Sequence, residues 1–445
     1  MNLHEDKPLW VPSAERIAGA NVTAFRLEAA QRWGVALPDY DALYDWSVAH
    51  PEQFWVSVWE GDCGGRGVIG DRGERVLVDG DKMPGARWFP DAKLNFARNL
   101  LRSRDAHDAI VFWGEDHVMN RMSHGELYRA VAHFVAALRE MGVGEGDRVA
   151  AYMPNMPETV IAMLAAASIG AIFTSASPDF GVQGVLDRFG QTEPKVLIAC
   201  DGYYYAGKTV DVLGKLGEIV GQLPSVKRVV VVPYVHHDHD LSHVPHARMY
   251  ADFIAPYHFV DDIEFAELPF DHPLYIMYSS GTTGVPKCIV HCAGGALLQH
   301  LKEHKLHGDV KPADRVFYFT TCGWMMWNWL VSALAAEATL LLYDGSPFAG
   351  DNQILFDYAD AEHMTHFGTS AKFLDAAAKF GLKPRETHRL DTVRAMMSTG
   401  SPLVAEGFDY VYRDIKADLQ LSSISGGTDI ISCFVLGSPV LPVWR

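Results

Sequence analysis

The sequence predicts an α/β fold of doubly wound, mostly parallel sheets with helices on both faces and a smaller β subdomain. Three observations carry that expectation. From about residue 108 onward, short apolar runs alternate with longer stretches of helical period, the pattern of parallel strands joined by crossover helices. Apolar residues make up 49% of the chain and charged residues 21%, which is ordinary globular composition. The 445 residues suffice for one large α/β domain with subdomains, or for more than one domain.

The elements follow in order. Residues 1–100 are aromatic-rich and loop-rich, with WSVAHPEQFW at 46–55 and a Gly-rich GDCGGRGVIG at 61–70. They read as an N-terminal extension wrapped on something larger. AIVFW (109–113) predicts a strand. SHGELYRAVAHFVAALREMG (123–142) predicts a helix, with Ser123 as N-cap, Glu126 completing a capping box and Gly142 ending it. DRVAAYM (147–153), KVLIAC (195–200) and VKRVVVVP (226–233) predict strands, and MPETVIAMLAAASIG (156–170) a helix.

Residues 159–178 carry no charge and approach the length of a membrane span. Ser168, Gly170, Thr174, Ser175, Ser177 and Pro178 dilute them, so a buried helix, a turn at Gly170 and a short strand are expected there. Further on, strand-like runs at 273–279, 315–320, 339–343 and 393–398 alternate with helices expected at 291–306, 351–361 and 370–380.

The formal charge of −17 argues against nucleic acid or an anionic membrane as the main partner. It leaves room for an anionic small molecule, which needs only a local cluster of donors. The six cysteines (Cys63, Cys200, Cys288, Cys292, Cys322 and Cys433) form no CxxC pair, which points to a reducing compartment. MNLHEDKPLW has no basic-then-apolar leader pattern. A cytoplasmic protein, monomeric by default, is the expectation. Cys288 and Cys292 read as buried. The His-rich HHDHDLSHVPH (236–246) lacks a standard metal-ligand spacing and reads as a solvated loop.

The chemistry concentrates in YSSGTTGVPK, residues 278–287. An apolar strand-like run, PLYIMYS (273–279), leads into it. Gly281 and Gly284 let the backbone approach a ligand closely. The hydroxyls of Ser279, Ser280, Thr282 and Thr283, with the freed N–H groups, are donors suited to phosphate oxygens, and Lys287 adds a mobile positive charge. No glycine directly precedes the lysine and no Ser or Thr follows it, so this is not a Walker A loop.

This loop, with His291 after it, resembles the signature of the adenylate-forming enzymes: acyl-CoA synthetases, luciferases and peptide-synthetase adenylation domains. STGSPL (398–403) is similar to the family's adenine-side loop, SGGTDI (425–430) to the segment that usually ends in Thr-Glu, and CGWMMWNW (322–329) to the aromatic segment beside the acyl pocket. KPLWVPS (7–13), WSVAHPEQFW, GTSAKFL (368–374) and SISGGTDIISC (423–433) narrow the resemblance to the short-acid CoA ligases. These carry an N-terminal extension of the kind seen in acetyl-CoA synthetases.

The resemblance implies ATP-dependent ligation of acetoacetate to coenzyme A through an acyl-adenylate, releasing AMP and pyrophosphate. It implies an extension over 1–100 and an AMP-binding domain over 101–445. Ser279, Ser280, Gly281, Thr282, Thr283, Gly284 and Lys287 would hold the phosphates of ATP. Thr428 would hydrogen-bond the α-phosphate and Asp429 would sit near Mg²⁺, so Thr428, Asp429 and Lys287 are the implied catalytic residues. Asp429 departs from the Glu of most relatives. Gly400, Ser401, Pro402, Ser423, Ile424, Ser425 and Gly427 would line the adenine, and Arg188 would contact CoA.

Trp324, Met325, Met326 and Gly426 would form the acyl pocket, with Trp327 and Trp329 as core. Acetate-specific relatives place a Trp two residues before the Thr, so Gly426 implies room for a four-carbon acid. A ketone there requires a donor, for which Lys372, Ser370 and Ser425 are candidates. Relatives continue well beyond residue 445, so the resemblance implies that this stretch ends inside the large domain, before the C-terminal lid, and would turn over poorly by itself. Ligation of another short acid (3-hydroxybutyrate, butyrate, propionate or acetate), adenylation for a carrier protein, and a catalytically silent nucleotide-binding relative stay open as alternatives.

Overall fold

Runs such as VLIAC at 196–200 and RVVVV at 228–232 have almost no polar face to turn toward water, so they pair in the interior of a parallel sheet. A computed structural model of the chain describes residues 7–61, 66–236, 239–279 and 284–445. Its larger strands, in chain order, are β1 (Asp108–Gly114), β2 (Val118–Ser123), β3 (Arg148–Tyr152), β4 (Ile172–Ala176), β5 (Val196–Cys200), β6 (Arg228–Val232) and β7 (Ala247–Met249). They continue with β8 (Pro273–Ser279), β9 (Lys287–Cys292), β10 (Arg315–Tyr318), β11 (Thr339–Asp344), β12 (His366–Ser370), β13 (Ala395–Thr399) and β14 (Gln420–Ser423).

These strands form two seven-stranded sheets, ordered β7-β6-β5-β3-β4-β8-β9 and β14-β13-β12-β10-β11-β1-β2. Both are parallel except at one edge, where the hairpins β8–β9 and β1–β2 run antiparallel. The doubly wound expectation is therefore met twice over. Smaller antiparallel sheets accompany them: a three-stranded one from Gly70–Asp71, Lys93–Leu94 and Leu268–Pro269, and a hairpin of β15 (Ser425–Gly427) and β16 (Ser432–Val435).

Local signals set several boundaries. The helix His124–Glu140 begins with the expected capping box between Ser123 and Glu126, and Gly142 takes φ 69° just beyond it. The uncharged stretch folds as the buried helix Pro157–Ser168, a left-handed Gly170 and strand β4. Among the described residues no helix is long and apolar enough to cross a membrane.

The N-terminal segment corrects one expectation. Its first part is helical, not loop-rich, through Ala14–Gly19, Asn21–Trp33, Tyr40–Ala49 and Pro51–Glu60, while residues 66–95 carry only two-residue strands, as a loop-rich segment would. Ser13 and Asp39 cap two of these helices and Pro51 opens a third. Their aromatic residues Phe25, Trp46 and Trp59 are buried against the body. Trp10 forms an antiparallel bridge with Val443 and donates its indole N–H to Asp418 at 2.8 Å. Residues 62–65 of the Gly-rich stretch, Cys63 included, lie outside the described residues.

The helix expected at 291–306 starts late, because β9 runs on to Cys292. It is α-helical over Ala293–Lys302 and continues as a π-helix over Glu303–His307. The helices expected at 351–361 and 370–380 are Ile354–Ala361 and Ala371–Lys379. Cys288 is exposed and Cys292 half-buried, because β9 is an edge strand with one face open.

Candidate functional site

The carboxyl ends of β13 and β14 lie side by side, with Ser398 in register with Ser423. The chain leaves both strands on the same side, so Gly400–Pro402 and Ile424–Asp429 face one crevice, where open α/β sheets bind ligands. Gly400 has φ 87°, a conformation that favours glycine and turns the chain sharply out of β13. The Ile424 N–H donates to the Ser398 carbonyl at 2.7 Å, and the Thr399 hydroxyl to the Ile424 carbonyl at 3.1 Å, which ties the two loops together.

A cavity of about 840 Å³ opens there. Gly400, Ser401, Pro402, Ser423, Ile424, Ser425 and Gly427 line one side, and Gly426, Thr428 and Asp429 continue that wall. Opposite stand Trp324, Met325 and Met326, at the start of the helix Met325–Ser332. Arg188 and Ser279 complete the set of expected residues on the cavity. Trp324 sits at its mouth, 61% exposed, while Met326 is buried. Segments more than 200 residues apart in the chain thus meet around one space of ligand size.

The loop expected to hold phosphate is described only at its two ends. Ser280, Gly281, Thr282 and Thr283 lie outside the described residues. Ser279 ends β8 and pairs with Lys287 at the start of β9. Gly284 takes φ 114°, in keeping with its reading as a turn glycine. Gly284 and Lys287 are exposed and do not line the cavity.

His291 on β9 donates its Nε2–H to the Thr428 carbonyl at 2.7 Å. Burial pushes its pKa down, so the ring is neutral with Nδ1 free to accept. The bond fixes the backbone of Thr428, which lines the cavity. Asp429 next to it is exposed. Among the described residues, no protein hydrogen bond or ion pair takes up the Thr428 hydroxyl or the Asp429 carboxylate.

Arg188 is half-buried, not a solvated surface arginine. Its guanidinium lies 4.3 Å from the Phe180 ring centroid and 5.6 Å from that of Tyr278, and it donates to the Gly184 carbonyl at 2.7 Å. This stacking holds a cation at the cavity edge. Trp327 and Trp329 are buried, as expected, but Trp329 also reaches the cavity wall. Of the candidate ketone donors, Ser425 lines the cavity. Ser370 caps the helix Ala371–Lys379 and Lys372 is exposed, and neither lines the cavity.

Gly426 lines the cavity, but for a different reason than vacant space. A Cβ there would meet the Ser432 carbonyl oxygen at 2.2 Å and the Cys433 Cα at 2.6 Å. The position a side chain would occupy is filled by β16, so the glycine is a steric requirement of the β15–β16 hairpin. The pocket's openness comes from where that hairpin lies.

Sequence reasoning missed Glu303. Its carboxylate borders the cavity while the residue is 1% exposed. A glutamate in KEHKLH reads as a solvated helix residue. The signal that could have found it is periodicity: Ala293, Ala296, His300 and Glu303 recur at helical spacing, and all are buried. A second, largely apolar cavity of about 500 Å³ shares Ser432 and Cys433 with the first and is walled by Trp55, Trp88 and Phe270. Neither Ser279, Gly284 nor Lys287 lines it. The His-rich loop is mostly exposed among its described residues, as expected, but His239 is buried against Asp201, with Nε2 at 2.7 Å from its carboxylate. Residues 237 and 238 of that loop lie outside the described residues.

Comparison with known proteins places the chain. Residues 97–436 match the AMP-binding enzyme family and residues 40–100 the acetyl-coenzyme A synthetase N-terminus. The chain is 55% identical over 444 residues to acetoacetyl-coenzyme A synthetase of Rhizobium meliloti (strain 1021), covering 100% of this chain and 67% of that protein. It is 39% identical over 461 residues to malonamoyl-CoA synthetase of Penicillium aethiopicum, covering 98% of this chain and 63% of that one. The solved structure of acetoacetyl-CoA synthetase from Streptomyces lividans superposes with a TM-score of 0.91 at 41% identity, over 98% of this chain and 67% of that chain. This chain therefore spans about two thirds of the length of the relatives it matches.

Proposed function

The chain belongs to the AMP-binding enzyme family, within its acetoacetyl-CoA synthetase branch, and on that premise we propose that it activates acetoacetate with ATP and passes the acyl group to coenzyme A. The observation that carries this reading is the single cavity on which the adenine-side loop, Thr428–Asp429 and Trp324–Met326 converge. The relatives' names add to it. An acetoacetyl and a malonamoyl group have the same number of heavy atoms and the same carbonyl at the third carbon, and differ only in a terminal methyl or amide.

In the first step the acid carboxylate attacks the α-phosphorus of ATP and pyrophosphate leaves. In the second the CoA thiol attacks the acyl-adenylate carbonyl and AMP leaves. Catalysis of such an in-line displacement is mostly positioning and charge neutralisation. Thr428, its backbone held by His291, donates its hydroxyl to the α-phosphate. Ser279 to Lys287 hold the other phosphates, and Gly400–Pro402 with Ser423–Gly427 flank the adenine. The exposed, unpaired Asp429 carboxylate fits a hard cation such as Mg²⁺, which supplies neutralisation of phosphate charge when bound. Arg188 faces the CoA side. Residues 1–100 act as an extension packed on an AMP-binding domain from 101 onward, in a cytoplasmic enzyme.

The test is acid-dependent AMP formation from ATP, Mg²⁺ and CoA by the protein at its natural length, comparing acetoacetate, acetate, butyrate and 3-hydroxybutyrate. Preference for acetoacetate supports the reading. Preference for acetate overturns the substrate, and activity only with a carrier protein in place of CoA overturns the acceptor.

A further inference from the structure

The acid end of the cavity is closed by two walls that do not touch each other in sequence. Trp329 lies on the helix Met325–Ser332, and Ser432 and Cys433 begin β16. One carboxylate joins them. Glu303 Oε2 accepts the Trp329 indole N–H at 2.9 Å. Its Oε1 accepts the Ser432 hydroxyl at 2.7 Å, the Gln299 amide at 2.8 Å and, more weakly, the Cys433 N–H at 3.4 Å and thiol at 3.3 Å. Burial by itself would push this carboxyl up, but Lys302, His300, Ser432 and Gln299 hold it down at about 2, so it is ionised at neutral pH.

The surrounding helix reinforces the same strand. His300 Nε2 donates to the Ile431 carbonyl at 3.0 Å, and His307 Nδ1 to the Gly437 carbonyl at 3.0 Å. Glu303 opens the π-helix, a wider turn that proteins place at functional sites.

We propose that Glu303 is a positioning residue that sets which acids the cavity accepts, by holding Trp329 and the Ser432–Cys433 strand at a fixed separation across the acid end. This rests on the reading of that cavity as the acid pocket. A glutamine at 303 keeps the shape but offers only one acceptor oxygen. With its NH₂ toward Trp329, two N–H donors oppose each other and that wall is released; with its NH₂ toward Ser432, the hydroxyl can turn to accept but the Gln299 and Cys433 N–H donors lose their acceptor, and the strand wall is released. The released wall lets a longer acid in and holds acetoacetate less tightly.

The experiment uses the protein at its natural length. Steady-state kinetics of wild type, Glu303→Gln and Ser432→Ala are measured with acetoacetate and with 3-oxohexanoate, which is two methylenes longer, alongside KM for ATP and the unfolding temperature. The ratio of kcat/KM for acetoacetate to that for 3-oxohexanoate is expected to fall about tenfold in Glu303→Gln, the scale on which apolar pockets discriminate methylenes. The fall is carried by a raised KM for acetoacetate, with KM for ATP unchanged. Ser432→Ala, which removes one of the donors to Glu303 and an acceptor of Gln299, moves the ratio the same way by less.

An unmoved ratio in both variants, whatever their unfolding temperatures, overturns the role of Glu303. If Glu303→Gln does not fold, an unmoved ratio in Ser432→Ala does so alone. A wild type that activates no short acid sinks the proposed function itself, whereas a wild type that prefers acetoacetate beside variants with unmoved ratios sinks only Glu303.

Discussion

At the rim of the large cavity, Ser401, Ser425 and Asp429 stand exposed, whereas at its inner end Glu303 is buried and takes donors from Trp329, Gln299 and Ser432. Both regions are polar. Among the described residues, the rim's side-chain oxygens at Ser425, Thr428 and Asp429 have no protein hydrogen bond, while the carboxylate at the inner end is satisfied from within. The difference follows from solvation. An exposed hydroxyl or carboxylate is paired by water and can exchange that water for a ligand at little cost. A buried carboxylate without donors would cost several kcal/mol, so it persists only inside a completed network. The rim is thus free to exchange water for a ligand, and the inner end is fixed in shape.

Four experiments can break or sharpen this contrast. The largest effect is expected at the rim. Thr428→Ala should lower kcat/KM by about a hundredfold or more, the scale of losing one preorganised donor at a developing charge. Its denaturant midpoint should stay near wild type, because the hydroxyl has no protein partner. A large loss of stability would show that Thr428 belongs to the frame.

The inner end should behave in the opposite way. Glu303→Ala leaves the donors of Trp329, Gln299 and Ser432 unpaired in the interior and should cost about 3 kcal/mol of stability in urea unfolding. An unchanged midpoint would mean that water replaces the carboxylate without loss.

Gly426→Ala tests the hairpin between the two regions. Its Cβ would meet the Ser432 carbonyl at 2.2 Å, so β16 must shift, at an overpacking cost of about 1–3 kcal/mol. Wild-type stability with enhanced activity would restore the simpler idea that the glycine merely leaves room.

The smallest effect per group concerns acid. Burial pushes His304 down to about 3 and His307 and His366 to about 4, so all three are neutral in the folded protein. Unfolded, they bind protons below about 6.5. Between roughly pH 6.5 and 4 the unfolded chain therefore holds more protons than the native one, and stability falls as pH falls. Unfolding near pH 5 should take up about three protons from these residues, measurable from the pH dependence of the denaturant midpoint. Glu303 has the acid-group sign: its contribution, full above its ordinary range near 4.5, fades only as the pH approaches 2. A midpoint that is flat from pH 7 to 4 would contradict the buried, neutral state of the histidines.

Much of this was readable in advance. The capping box at Ser123 and Glu126, the break at Gly170 and the parallel strands all depend on neighbours within one turn or one strand, and periodicity reports such neighbours directly. The residues carried over by the motifs, from Gly400 to Asp429 and from Trp324 to Met326, do share one cavity. The N-terminal helices were misread because aromatic density and a Gly-rich stretch outweighed the caps at Ser13 and Asp39.

Local chemistry was therefore sufficient for the α/β alternation, and the resemblance of the motifs for the segments that meet around the cavity. It could not say why residue 426 is glycine, since the atom that forbids a side chain belongs to Ser432. Nor could it say that a glutamate in a charged stretch of helix is buried. Glu303 is held by Trp329, 26 residues away, and Ser432, 129 residues away. A buried charge is stable only where distant donors converge on it, and that convergence exists only once the chain has folded.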